Sequence, residues 1–110
     1  MPHTYREIGA LIHESPFFDH LQHLHGMLLN DVKIAAMVLH NRDHEERSTD
    51  PVEVIQRFDL DNIEYEEAVL RLEMSGYINQ TGDGSVIPGP RLSDQKDPLA
   101  EFLKNFDITN

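Results

Sequence analysis

Two pairs of histidines have a spacing that could hold a metal ion. His20 and His23 are three residues apart, and His40 and His44 are four residues apart. On a helix each pair projects from one side, where neutral imidazoles can bind a transition metal. The pairs lie on separate segments, and the chain has no cysteine to complete a ligand set. We therefore predict surface or half-buried histidines and no metal site.

Signatures of catalysis are not found in the sequence. It contains no glycine-rich phosphate loop, no HExxH motif and no serine nucleophile elbow. The carboxylates of Asp59 and Asp61 merely flank Leu60 at a turn. The lack of cysteine excludes thiol catalysis and disulfide bonds. We expect a protein that is not an enzyme and has no cofactor.

The charge balance is the most unusual property of this chain. It has 20 acidic and 9 basic residues, which gives a formal net charge of −11 over 110 residues. Such a surface repels nucleic acid and anionic membranes and favours basic partners. The longest apolar run, residues 34–39, is too short to span a bilayer, and residues 1–10 lack a signal-peptide profile. We expect a cytoplasmic protein with a single domain over residues 1–110.

Capping signals and apolar spacing predict a mainly α-helical chain. Thr4 with Glu7, and Asp50 with Glu53, have the spacing of a capping box, in which the two side chains bond the free N–H groups of a first turn. The terminal segments each carry an apolar stripe at helical spacing. Helices are predicted over residues 4–14, 16–29, 31–40, 51–58, 63–75 and 98–106.

A small β-hairpin is predicted after the helix that ends at Gly76. Residues 77–80 and 86–87 are β-prone, and the intervening TGDGS carries two glycines that permit the positive φ angles of a hairpin loop. The sequence Pro-Gly-Pro at 88–90 is expected to break regular structure. The stretch 41–50 has no apolar residue and is expected to be a solvated loop or a frayed helix end.

The order of elements over residues 31–88 resembles the winged helix-turn-helix superfamily, in the arrangement of MarR-like regulators. In that resemblance 31–40 is the supporting helix, 51–58 is the first helix of the motif and 63–75 is the recognition helix. The matching residues are Leu60 in the turn, Tyr65, Val69 and Leu72 in the core, and Gly76, Tyr77 and Ile78 at the entry to the wing. The connection 41–50 is longer and more charged than in such regulators.

The resemblance implies a winged-helix core over residues 31–90. N-terminal helices over residues 1–30 and a C-terminal helix over 91–110 would extend it. The fold class is therefore expected to be mainly α with a small β-hairpin. Because many winged-helix domains bind protein instead of DNA, this fold does not by itself specify a function.

The recognition helix of this resemblance is acidic. Residues 50–78 contain eight acidic and two basic residues, a local charge of −6. DNA binding depends largely on Lys and Arg that neutralise phosphates. We predict a regulator that binds a protein with a basic surface, and two alternatives stay open: a dimeric DNA-binding transcriptional regulator, and an acidic inhibitor that occupies a nucleic-acid-binding groove of its target. The predicted partner-binding residues are Glu64, Glu66, Glu67, Arg71, Glu73, Asp43, Glu45 and Glu46.

The terminal helices carry more apolar surface than a winged-helix core can cover. In the resemblance such helices build a two-fold dimer, so a homodimer is one expectation. The alternative is that they fold back on their own domain. The predicted interface residues are Phe17, Phe18, Leu99, Phe102 and Phe106.

Overall fold

The computed structural model describes residues 3–4, 14, 16, 18–19, 28–94, 96–104 and 108–109. Its helices are α1 (Leu29–His44), α2 (Pro51–Phe58), α3 (Asn62–Met74), α4 (Pro90–Ser93) and α5 (Pro98–Lys104). Its strands are β1 (His3–Thr4), β2 (Ile78–Gln80), β3 (Val86–Pro88) and β4 (Ile108–Thr109). Strands β2 and β3 form an antiparallel hairpin, and β1 pairs in parallel with β4. The predicted class, mainly α with a small hairpin, is confirmed.

Helix α1 lies at the centre of the core and packs against α2, α3 and β3. Its apolar residues from Val32 to Leu39 are buried on nearly every side, as in a helix enclosed by its neighbours. The sequence predicts that this helix begins at residue 31, but its N-cap is Leu28 and it begins at Leu29. Asp31 is the third helical residue, and its carboxylate accepts a hydrogen bond from the Leu28 N–H at 3.2 Å.

The polar stretch 41–50 is more ordered than predicted. Helix α1 continues through its first four residues to His44 instead of ending near His40. Asn41 and Thr49 are buried, and Asn41 Nδ2 donates a hydrogen bond to Thr49 Oγ1 at 2.8 Å. Thr49 and Val86 also exchange two backbone hydrogen bonds, which attach this segment to β3. Polar side chains that bond each other can be buried without apolar neighbours in the sequence.

The helices on either side of the tight turn, α2 and α3, each begin at an aspartate cap. Asp50 caps α2 by accepting from the Val52 N–H at 2.8 Å, and Pro51 is the first helical residue. Asp61 caps α3 in a reciprocal box with Glu64. Between the two helices Asp59 adopts a left-handed conformation and Leu60 is buried. These caps fix where α3 begins and therefore which of its residues face outward.

The hairpin follows α3 as predicted, and a short helix that was not predicted follows the hairpin. Gly76, with φ of 83°, ends α3, and β2 pairs with β3 in the register Gln80 opposite Val86. The Pro-Gly-Pro segment interrupts regular structure at Gly89 alone, because Pro88 belongs to β3 and Pro90 begins α4. Proline suits the first position of a helix, where no N–H is needed.

A buried polar cluster attaches α5 to the hairpin. The Tyr77 hydroxyl and Arg91 Nε both donate to Asp97 Oδ2 at 3.2 Å, while Asp97 Oδ1 accepts the Leu99 N–H at 2.9 Å and so caps α5. Burial raises the pKa of Tyr77 to about 12. The phenol therefore remains a neutral donor at physiological pH.

Two of the predicted interface residues are core residues of the single chain. Phe18 and Leu99 have 3% and 0% of their surface exposed. Both side chains are therefore covered by their own chain, and the assignment of these residues to an oligomer interface stays a prediction. Phe102 is partly buried against the same core, and Phe17 and Phe106 lie outside the described residues.

The longest helix in residues 28–94 and 96–104 is α1, with 16 residues. No helix of the described residues has the length and apolar content needed to cross a membrane.

Candidate protein-contact surface on α3

Helix α3 has a buried side and an exposed side. Tyr65, Ala68, Val69 and Leu72 lie in the core, which confirms the buried positions predicted for this helix. Contacts with α1, α2 and β2 hold the buried side in place. The opposite side of α3 is therefore presented to solvent in a fixed orientation.

The exposed side of α3 carries the predicted carboxylates. Glu64, Glu66, Glu67 and Glu73 are all exposed. Exposed carboxylates on one helix attract cations and repel anions within about 10 Å at moderate salt. Glu66, Glu67 and Glu73 lie within about 120° of one another around the helix, whereas Glu64 lies at the cap, where its carboxylate accepts the Asp61 N–H.

An apolar stripe runs between these carboxylates. Ile63, Leu70 and Met74 have 67%, 57% and 80% of their surface exposed, and their spacing of seven and four residues aligns them along one side. We call these three residues the α3 stripe. With 100° between successive residues of a helix, Glu66 and Glu73 fall along one edge of the stripe and Glu67 along the other.

The spacing of apolar residues in α3 indicates this stripe, which the prediction of an acidic surface did not include. Once Tyr65 and Leu72 are assigned to the core, the helical period places Ile63 and Met74 on the far side. The signal is a second set of apolar residues at helical spacing, out of phase with the core set.

Arg71, one of the predicted partner-binding residues, forms an ion pair within its own chain. Its Nε and Nη2 donate to Asp31 Oδ2 and Oδ1 at 2.9 and 2.8 Å. Asp31 is only 1% exposed, so its carboxylate needs a charged partner to be stable in the core. The hydrogen bonds that Arg71 donates to Asp31 raise the pKa of Arg71. The one basic side chain of α3 is thus fixed on α1.

A groove lies beside the stripe, between α3, the start of α2 and the hairpin. Its volume is about 410 Å³. It is lined by Pro51, Tyr65, Glu66, Val69, Leu70, Gln80 and Gly84. Among the described residues that line it, Glu66 carries the only charge. Leu70 belongs to both the groove and the stripe, which are therefore continuous.

The second predicted acidic group lies on a different part of the molecule. Asp43, Glu45 and Glu46 are exposed where α1 ends. Arg42 Nε lies 2.8 Å from Asp43 Oδ1, and Arg47 lies within the same stretch. The charge here is mixed, whereas α3 exposes carboxylates and apolar side chains.

Arg47 and Glu53 form a close ion pair next to this second group. Two Arg47 nitrogens donate to the two carboxylate oxygens of Glu53 at 2.8 Å. The hydrogen bonding to Arg47 lowers the pKa of Glu53. Glu46 and Arg47 line a separate cavity of about 470 Å³ on the far edge of the hairpin, where Ile87 also lies. The two predicted acidic groups therefore belong to different surfaces.

The imidazole rings of His40 and His44, the histidine pair within the described residues, stack on each other. The ring centroids of His40 and His44 are 4.9 Å apart, and His40 is buried. Burial, and next the neighbouring His44, lower the pKa of His40. Across the described residues, no group of three or more His, Cys, Asp or Glu side chains is placed to hold a metal ion. His20 and His23 lie outside the described residues.

Because comparisons with known proteins found no match, the function is argued from the α3 surface. No protein-family model, curated protein or solved structure matches the chain.

Proposed function

We propose that this protein is a winged-helix module that acts without catalysis, by binding a protein partner with a basic surface. The ion pair between Arg71 and Asp31 carries the proposal. It fixes the one basic residue of α3, so the exposed side of this helix offers carboxylates and apolar side chains to a partner.

The order of the described elements and the connections between them support a winged helix. From α1 onward they run helix, loop, short helix, tight turn, longer helix and hairpin, which is the order behind the resemblance. Leu60 is buried in the turn, and Gly76 leads from α3 into the hairpin. In such a domain α3 takes the position of the recognition helix, and the loop between β2 and β3 takes that of the wing.

The charges around α3 favour a protein over DNA. A helix in the major groove needs basic contacts to the phosphates on either side of it. Glu66 and Glu67 would face those phosphates, and the hairpin loop holds Asp83. Of the nearby cations, Arg57 pairs with Glu53 of its own helix. A basic protein surface meets the same carboxylates with attraction instead of repulsion.

The test compares two labelled probes by fluorescence anisotropy. One is a peptide of alternating lysine and alanine, and the other is random-sequence duplex DNA. We expect the peptide to bind at low salt and to weaken as salt is added, and the DNA to stay unbound. Saturable DNA binding with a steep salt dependence would instead establish a DNA-binding regulator. Lack of peptide binding at low salt would overturn the proposal.

A matched pair of variants separates local from overall charge. Glu66→Lys changes α3, and Glu101→Lys makes the same change on an exposed position of α5. We expect Glu66→Lys to weaken peptide binding by roughly tenfold and Glu101→Lys by less than about twofold. Equal losses would mean that the peptide senses only net charge, which would contradict a binding surface on α3.

A further inference from the structure

The α3 stripe is an apolar surface that no part of the described chain covers. Ile63, Leu70 and Met74 are each more than half exposed. Contiguous apolar surface on a folded domain, bordered by charged groups, is typical of a protein-binding site. The stripe continues into the groove through Leu70. A partner must therefore bring apolar side chains as well as positive charge.

The dimensions of the stripe fit a helix lying along α3. From Ile63 to Met74 it rises by about 16 Å, at ~1.5 Å per residue. A partner helix presents apolar side chains over the same length when they recur at i, i+4, i+7 and i+11. The groove beside Leu70 can take one of these side chains, because Val69 and Pro51 line it as well.

The carboxylates at both edges define the polar part of the partner. Glu66 and Glu73 border one edge of the stripe, and Glu67 borders the other. A helix with Lys or Arg on both flanks of its apolar side pairs with all three. A second copy of this chain is disfavoured, because it would bring the same carboxylates against one another.

We infer that α3 binds an amphipathic basic helix of a partner protein, with apolar side chains on the α3 stripe and one of them in the groove beside Leu70. The inference rests on the proposed function and specifies the class of partner. Lysines and arginines flanking the apolar side of that helix pair with the glutamates of α3.

The experiment uses two labelled peptides of identical composition. Each has about 18 residues of Leu, Ala and Lys, enough for five helical turns. In one the leucines recur at i, i+3, i+4 and i+7, and in the other the order is scrambled. Binding to the full chain is measured at physiological salt, where exposed charge pairs are screened. We expect the amphipathic peptide to bind at least about tenfold more tightly than its isomer.

Leu70→Ser tests the apolar contact directly. Leu70 is exposed, so the variant should fold normally, which circular dichroism can verify. We expect about a tenfold loss of affinity for the amphipathic peptide. The control is Ile87→Ser, an exposed apolar residue of β3 that lines the other cavity. It should change the affinity by less than about twofold.

The outcomes separate this inference from the proposed function. Equal binding of the two isomers, with no effect of Leu70→Ser, would overturn the inference and leave a purely electrostatic contact. A doubled mass in solution that Leu70→Ser abolishes would assign the stripe to a second copy and also overturn it. Failure of the lysine-alanine peptide to bind at low salt is the separate result that overturns the proposed function.

Discussion

His40 is a buried titratable side chain at the last turns of α1. Burial lowers its pKa from 6.5, and next the neighbouring His44 lowers it further. Below pH 6.5 the unfolded chain therefore binds a proton that the folded chain resists. His40 therefore favours the folded chain most at and above pH 6.5. This stabilisation is lost as the pH falls from 6.5 toward the pKa that His40 has in the folded chain.

We expect the free energy of unfolding to decrease as the pH falls below 6.5, and His40→Gln to flatten this dependence. Urea unfolding of both proteins across the range measures the difference, which isolates His40 from the other histidines. His44→Gln is the control, because removing the neighbouring charge should raise the pKa of His40 in an NMR titration. A pH dependence unchanged by His40→Gln would contradict the assignment.

Arg71 shows why single residues of the candidate site could not be assigned from sequence. By helical spacing it belongs with the exposed glutamates of α3, and that spacing is correct for Glu67 and Glu73. Its actual partner, Asp31, is 40 positions away in the chain. No local pattern indicates that pair, since it depends on how α1 crosses α3. The same contact explains how the carboxylate of Asp31, in the first turn of α1, can be buried.

At the scale of elements, boundaries were predictable where their cause is local. Asp50, Asp61 and Gly76 end or begin helices through bonds to residues within a few positions, and the hairpin follows from its own glycines. The end of α1 was not predictable in this way. It extends to His44 because Asn41 is held by Thr49, which is itself paired with β3. The pairing of β1 with β4 joins the two ends of the chain and had no sequence signal.

The joint between the hairpin and α4 depends on close backbone contact at Gly89. Its N–H donates to the Tyr77 carbonyl at 2.7 Å. A Cβ at Gly89 would lie 2.6 Å from the Gly76 carbonyl oxygen and 2.9 Å from the Ile78 nitrogen. These are backbone atoms at the start of β2 and just before it, so they cannot rotate away, and the two backbone segments would have to separate.

We expect Gly89→Ala to lower the free energy of unfolding by about 2–3 kcal/mol, because it overpacks a fixed backbone contact. Chemical denaturation measures the loss. The control is Gly82→Ala in the hairpin loop, where an added Cβ meets nothing within 4 Å. That variant should stay within about 0.5 kcal/mol of wild type. Equal stability of the two variants would show that the joint at Gly89 can relax.

At the scale of the whole molecule, the net charge of −11 opposes folding. Compaction brings like charges together, and their repulsion is weakest when salt screens it. The exposed carboxylates of α3 contribute to this repulsion, because its single cation is paired with Asp31. The surface that we propose to attract a basic partner therefore destabilises the free protein.

We expect the midpoint of thermal unfolding to rise by about 4 °C or more between low salt and ~0.5 M NaCl, which corresponds to ~1 kcal/mol for a domain of this size. Glu66→Gln with Glu67→Gln should raise the midpoint at low salt and reduce the response to NaCl, because two of the repelling charges are removed. Replacing NaCl by KCl is the control for ion-specific effects and should give the same response. A midpoint independent of salt would mean that local pairs such as Arg47 with Glu53 already compensate the acidic surface, and that α3 carries no excess repulsion for a basic partner to relieve.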